Sequence, residues 1–531
     1  MLLVVGLFMV GCEEPVREEE VAQELAFETD LGMTISSLAE VFSADSIPVQ
    51  GYGLVVGLNE TGSTECPPQI RAYLRQYILK QLPPDALDPH EFISSLDTAV
   101  VLVDGIMPRA VAKNQYFDVR ITALQGTQTT SLEGGRLYKT DLKATGVFGM
   151  TIKVLARAEG PVFIDTINPS ELNKRIGYIL AGGTVLDEYK INLALRQPNY
   201  RIANTIRNKL NERFGAGTAK AVSPGQIELK VPAKYSGQKH RFISIVKGMY
   251  LFETEESITE RISTFVRKLA VEEDKETYEV GLEAIGIESV GKLAALLNSS
   301  NAEVRLRAAR CMLNLGSDVG LETLRQIAST KNSFYRVDAL EAIMAAASRN
   351  DAAAISRKLL RDDDFKIRLA AYEQLRELDD ISITQELIAR DFFLEQITQT
   401  LHKGIYVSRS GLPRIILFGA PLYCRENIFV QSPDGNITIN APPGQQYVTI
   451  IRKHPKRPNV ILQLKSSFEL SDIIRTLCEE PLKKEGERRV GLNVSYAEGI
   501  ALLQQMCYRE AAEAEFRAGP LPKIDLIIKR R

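Results

Sequence analysis

Three hexapeptides of one pattern recur in the middle of the chain: Val304-Arg305-Leu306-Arg307-Ala308-Ala309, Tyr335-Arg336-Val337-Asp338-Ala339-Leu340 and Ile367-Arg368-Leu369-Ala370-Ala371-Tyr372. Their spacing is about thirty residues, the length of one helix pair. A lone helix pair cannot bury its apolar face, so such copies stack on one another. The pattern therefore predicts a short curved solenoid over residues 256–382, with a degenerate first copy from Ile258 to Gly286. Arg305, Arg336 and Arg368 fall at one position of successive copies. Their expected role is packing, or an ion pair between repeats with a neighbouring Asp or Glu. Asp362-Asp363-Asp364 reads as a solvated turn between helices, because no further ligand keeps a fixed spacing to it.

The array is flanked by two stretches of mixed helix and strand, 30–255 and 390–531. With 531 residues the chain exceeds a single core. A hydrophobic fraction of 45% with 25% charged residues excludes disorder on composition, and a net charge of -2 gives no global field for nucleic acid. The fold class expected is α+β multidomain: a mixed α/β domain, an α-solenoid middle and an α+β C-terminal domain.

Within 30–255, Gly51-Tyr52-Gly53-Leu54-Val55-Val56-Gly57-Leu58 reads as a glycine-punctuated strand. Pro67 and Pro68 open a helix whose core stripe is Ile70, Tyr73, Leu74, Tyr77 and Ile78. Ala99 to Val103 is a buried strand, and Phe117, Val119, Ile121 and Ala123 line the buried face of another. A strand-helix-strand unit follows. Tyr189, Ile191, Leu193 and Leu195 alternate, Asn199 caps a helix that Gly215 stops, and Ile227, Leu229 and Val231 alternate until Pro232.

These motifs carry a resemblance. Gly51 to Gly62 is similar to the N-terminal signature of the flagellar P-ring protein family. Asp118 to Leu124, Ser131 to Leu142 and Leu193 to Ala203 resemble further motifs of that family, in the same order. The middle section resembles HEAT-type repeats, which the P-ring family lacks; it stands as an insertion. The resemblance implies a structural protein, not an enzyme, that forms a homo-oligomeric ring around the flagellar rod in the periplasm. Its implied partners are itself, the rod and other basal-body proteins, and peptidoglycan, with no cofactor and no nucleic acid. Tyr52, Leu54 and Arg201 are candidates for ring contacts, with core packing the ordinary role of the first two.

In the last section, strands are expected around Pro413–Ala420, Glu426–Val430, Asn436–Asn440, Gln446–Arg452 and Asn459–Lys465. The last two flank a basic loop, Lys453-His454-Pro455-Lys456-Arg457. Lys453, Lys456 and Arg457 are thus candidates for contact with a polyanion, against the plainer role of a soluble turn. Ser495 to Arg517 reads as an amphipathic helix. Cys424 and Cys478 are candidates for a disulfide, or else two buried thiols.

At the N-terminus, Leu2 to Val10 is apolar and uncharged, too short to span a bilayer, and ends in Met9-Val10-Gly11-Cys12. This resembles a bacterial lipobox. Residues 1–12 are then a lipoprotein-type signal ending at a lipidated Cys12, and 13–29 an acidic tether. Neither a GxSxG nor an HExxH motif occurs, and His90, His240, His402 and His454 are scattered. Metal and catalytic residues are therefore not assigned. The alternative to a ring protein is an envelope lipoprotein adaptor whose solenoid binds a protein partner, without a flagellar role; an envelope glycan hydrolase is a third reading that no residue singles out.

Overall fold

The computed structural model describes residues 32–42, 46–81, 88–108, 112–146, 152–167, 172–187, 191–454, 457–481 and 491–524. The lipobox with Cys12, the acidic tether and Lys456 lie outside these residues.

The chain opens with α1 (Ile35–Leu38) and β1 (Ala39–Phe42), then enters a six-stranded barrel. Its strands are β2 (Ile47–Val56), β3 (Thr98–Met107), β4 (Tyr116–Ala123), β5 (Arg136–Ala144), β6 (Ala156–Pro161) and β7 (Ile176–Val185), closed in the order β2-β3-β4-β7-β6-β5. Closure removes the free edges that an open sheet would expose. Val49, Val55, Val101, Val103, Phe117, Val119, Ile121, Leu137 and Ile179 fill the interior. On the outside, α2 (Pro68–Gln81) and α3 (Pro89–Ile93) pack Tyr73, Leu74, Ile78 and Ile93 against Leu54 and Val100. Leu54 is thus core, not a ring-contact surface: alternation sends Val55 inward and Leu54 under α2.

A second lobe follows. β8 (Ile191–Leu195), α4 (Tyr200–Phe214), β9 (Ala219–Ser223), β10 (Gln226–Leu229) and α5 (Lys239–Gly248) form it, with sheet order β1-β8-β10-β9 and every pairing antiparallel. The Asn199 side chain accepts from the N–H groups of Arg201 and Ile202, and Gly215 ends α4 with φ 103°. The expected strand-helix-strand unit gains a strand, because β9 pairs with β10 as a hairpin. Its Ala-Lys-Ala-Val-Ser sequence carries too little apolar signal to stand out.

The helices of the array are α6 (Glu255–Val271), α7 (Lys275–Ile285), α8 (Val290–Leu293), α9 (Ala302–Asn314), α10 (Leu321–Ser329), α11 (Arg336–Ala346), α12 (Arg349–Leu359) and α13 (Phe365–Glu377). A stacked array needs its end faces covered. At the front, Val280 and Ala284 of α7 sit in the core of the second lobe with Phe242 and Ile245. At the back, a mixed sheet serves.

That sheet comprises β11 (Ile383–Ile388), β12 (Phe392–Ile397), β13 (Gly404–Val407), β14 (Arg414–Phe418) and, from the C-terminus, β19, in the order β11-β12-β14-β13-β19. The intervening elements are β15 (Ile428–Gln431), β16 (Ile437–Ala441), β17 (Val448–His454), β18 (Arg457–Ser466), α14 (Leu470–Cys478) and α15 (Tyr496–Tyr508); β19 is Glu515–Ala518. Ile416, Phe418 and Tyr406 face the array, while Ile415, Leu417, Ile405 and Val407 face the C-terminal core. A sheet buried on both faces reads as an unbroken apolar run, as Ile415 to Phe418 does.

The last section therefore begins at Ile383 rather than at 390. The terminal helix stops at Tyr508, not near Arg517. Glu510 takes φ 55°, the amides of Ala511 and Ala512 fold back to the Met506 carbonyl, and Glu515–Ala518 pairs with β13. The apolar stripe of α15 was legible, but the edge offered by β13 was not.

Candidate assembly surfaces

The glycine signature has a packing cause. Strand β2 lies against both β3 and β5. A Cβ on Gly51 would overlap the Asp141 carbonyl oxygen, and one on Gly53 the Thr140 hydroxyl. Only a residue without Cβ lets β2 and β5 approach closely enough to close the barrel. Tyr52, between them, is half-buried, and Arg201 is exposed on the first turn of α4.

Two polar joints tie the array to its neighbours. At the front, Glu279 and Glu283 of α7 are wholly buried. Arg310 grips Glu279 through Nε and Nη2, both at 2.6 Å; Arg241 of α5 reaches Glu279 at 2.7 Å, and Arg307 reaches it at 3.1 Å. Arg241 also donates from Nε to Glu283 at 2.8 Å. Burial alone would raise the Glu279 carboxyl, but Arg241, Arg310 and Arg307 outweigh it and hold it at about 2. At the back, buried Glu395 on β12 accepts from the Tyr372 hydroxyl and from Arg376 Nε at 2.8 Å, while Arg414 on β14 pairs with Glu373 at 2.9 Å.

The C-terminal section then returns to the barrel. Arg409 Nη1 meets Asp165 at 2.8 Å, with both side chains largely buried. The Gly411 amide donates to Asp118 at 2.9 Å, and Ala181 donates to the same carboxylate at 2.7 Å. Burial pushes the Asp118 carboxyl upward against those two bonds. Phe163 and Leu180 of the barrel join the C-terminal core, where Phe163 lies 6.0 Å from the Tyr496 ring. The array thus meets the second lobe at its front and the C-terminal section at its back, and that section returns to the barrel.

The repeated arginines divide. Arg305 donates to the Ser299 carbonyl at 2.6 Å and to Ser300 at 3.0 Å; Arg368 does likewise to Asp362 at 2.7 Å and Asp363 at 2.9 Å. Both clamp the turn before their own helix. Arg336 donates to the Ala328 carbonyl at 2.9 Å and forms the expected inter-repeat pair with Asp362. Asp364 caps α13 through the Lys366 amide.

Cys424 and Cys478 are separate free thiols here rather than a bridge. Cys424 Sγ donates to the Phe468 carbonyl at 3.4 Å, and burial pushes its thiol up to about 12. The basic stretch is less of a loop than its composition implies: β17 runs through Lys453 to His454 and β18 begins at Arg457. Lys453 is exposed and pairs in register with Ile461. The Arg457 side chain lies outside the described residues.

The sequence reading missed Glu279, Arg241, Glu395, Arg409 and Asp165. One signal was available: Glu279 and Glu283 interrupt the apolar face of α7 four residues apart, and Arg307 and Arg310 lie on one face of α9. These charges complete buried ion-pair networks, an arrangement that perturbs titration without a reaction. Among the described residues no three His, Cys, Asp or Glu side chains converge as a metal site, and no helix is long and apolar enough to cross a membrane.

A barrel and an α/β lobe bound to a capped helical array define a multidomain scaffold. Residues 34–272 match the flagellar P-ring protein family, and residues 290–376 match HEAT repeats. The chain is similar to the flagellar P-ring protein of Thermotoga maritima, at 29% identity over 237 residues, covering 42% of this chain and 68% of that protein. It is also similar to those of Anaeromyxobacter dehalogenans (29% over 256 residues, 44% and 64%) and Nitrosomonas europaea (30% over 232 residues, 40% and 60%). The family segment takes in the barrel, the second lobe and α6; the HEAT match runs from α8 into α13.

Proposed function

We propose that the chain is a structural subunit of a bacterial envelope ring of the flagellar P-ring type, assembling with copies of itself around the basal-body rod. The observation that carries this reading is the ordered match over 34–272, whose glycine signature is the close approach of β2 and β5 in the barrel. A head-to-tail contact repeated at fixed rotation closes into a ring. The ring would lie in the periplasm near peptidoglycan. A lipid on Cys12, after removal of residues 1–11 and with 13–29 as the tether, would hold each subunit to a membrane. The array would then be an insertion in a P-ring-like chain. The return of the C-terminal section to Asp165 and Asp118 of the barrel supports that arrangement.

A second reading, an envelope adaptor with the same domain used away from any flagellum, is favoured by the open groove of the array described below. The test is to delete the gene in its native host, image the envelope by electron cryotomography and assay swimming. Loss of a ring around the rod with loss of motility is the expected result. Intact rings and normal swimming would overturn the flagellar reading and leave the adaptor. Excising 256–382 is the poorer test, because Val280 and Ala284 complete the core of the second lobe.

A further inference from the structure

The inner helices of the array line a groove of about 1120 Å³, walled at one end by residues of α5 and the turn before it. Its floor is apolar and partly built of small residues: Val337, Ala342, Ala345, Leu369 and Ala370. Small side chains there leave the width that another helix would need. Five carboxylates line the same groove: Glu276 of α7, Asp338 and Glu341 of α11, and Glu373 and Glu377 of α13. Glu373 is held by Arg414; the other four are exposed, and none of them has a hydrogen bond or ion pair among the described residues. The basic residues of the groove are mostly engaged. Arg241 and Arg310 are held by Glu279, Lys234 donates to the Asn314 carbonyl at 2.6 Å, and Lys366 is the exception.

We infer that this groove docks a cationic amphipathic helix of a partner protein. Its apolar face would lie on Val337, Ala345 and Leu369, and its Lys or Arg face on Asp338, Glu341 and Glu377. Helix-in-groove recognition needs an apolar trough for anchor side chains, and a charged border sets which helices enter. The groove supplies both, and its free charge is mainly acidic, four carboxylates against Lys366. Burial, and then the neighbouring Asp338 carboxylate, push the Glu341 carboxyl above its usual range, with Arg310 opposing. A cation beside these two carboxylates would relieve that repulsion. The array is fixed at both ends by buried ion pairs, so the groove is preformed and costs little ordering on binding. This inference does not depend on the flagellar reading, which the imaging experiment tests separately.

The experiment uses the purified full chain and a dye-labelled synthetic peptide of about 15 residues, long enough to hold a helix. Its Leu residues are spaced on one face and Lys and Arg fill the other. Two control peptides have the same Leu positions with Glu replacing the cations, and the same composition with the Leu face scrambled. Binding by fluorescence anisotropy is expected for the first peptide and at least ~10-fold weaker for both controls. Asp338→Lys with Glu341→Lys should weaken it by ~10-fold or more, as should Ala345→Trp, which fills the floor. Glu260→Lys, exposed on α6 outside the groove, should leave it unchanged. Should the groove variants lose helix by circular dichroism, Glu276→Lys with Glu377→Lys is the replacement, with the same weakening expected. Equal binding of the scrambled peptide would overturn the inference, as would binding indifferent to the groove variants or no binding. Self-association of the chain that the groove variants abolish would also overturn it, the occupant then being a second copy.

Discussion

The barrel and the helical array hold their shapes by different means. The barrel closes because β2 and β5 approach over Gly51 and Gly53, and its interior is mainly apolar. The array leans on buried charge at its ends, Glu279 at the front and Glu395 at the back. A barrel satisfies its backbone by closure and needs no partner at its edges. A solenoid has two end faces that something else must cover. The difference suggests where each region fails: the barrel at a backbone contact, the array at its joints.

The largest effect is expected at the front joint. Glu279→Ala leaves Arg241, Arg307 and Arg310 without the carboxylate they share, and removing one member of a buried ionic cluster costs about 3–5 kcal/mol. Hydrogen exchange should show protection lost in α5, α7 and α9 while the barrel strands keep theirs. Loss of barrel protection as well would break the proposed independence. The same carboxylate makes the joint acid-sensitive. Its folded value of about 2 lies below the ordinary 4.5, so its contribution is complete above that ordinary value. The contribution falls away as pH drops toward about 2. Glu279→Gln should flatten the acid dependence of α7 protection over that window. An unchanged profile would assign acid lability elsewhere.

Next comes the barrel. Gly51→Val puts a branched side chain against the Asp141 carbonyl, and overpacking of this kind costs about 1–3 kcal/mol, more where backbone must move. Protection should fall in β2, β5 and α2 and hold in α9 to α13. Within the array the repeated arginines should separate. Arg336→Ala strips Asp362 of its partner and leaves the Ala328 carbonyl without its donor, for about 1–3 kcal/mol. Arg305→Ala frees only carbonyls of the Ser299–Ser300 turn near solvent and should cost less, about 1 kcal/mol. Equal losses in thermal melts of the two variants would mean that the inter-repeat pair adds nothing beyond the turn clamp.

How much of this was legible follows from the range over which each signal acts. The array declared itself through a period, and α4 through a capping Asn, an apolar stripe and a stopping Gly, all local. The strands β3 and β4 showed as an apolar run and an alternation. Closure of the barrel did not show, because pairing of β2 with β5 joins residues some ninety apart, Val49 with Ala144 for example. Strand β19 was misread as helix because its pairing with β13 is equally remote. The joints were hidden for a related reason. A buried Glu looks like a surface Glu until the arginines of two other helices are placed around it. The role of Leu54 turned on the same point: alternation alone does not say that α2 covers the outer face of β2.

The smallest effect offers the closest match between the two regions. Asn199 begins α4 in the family segment, accepting from Arg201 at 2.9 Å and Ile202 at 3.3 Å. Asn301 begins α9 in the array, accepting from Glu303 at 2.9 Å and Val304 at 3.4 Å. The two caps are geometrically alike, and each Asn→Ala change removes the same pair of bonds for about 1 kcal/mol. If cap energetics are local, the two variants should lower protection equally, each in its own helix. If Asn301→Ala costs clearly more, a frayed start of α9 must be loosening Arg307 and Arg310 from Glu279, which lie within its first three turns. That outcome would mean that the array couples its helix ends to its joint, whereas α4, packed on a sheet, absorbs the same loss in place.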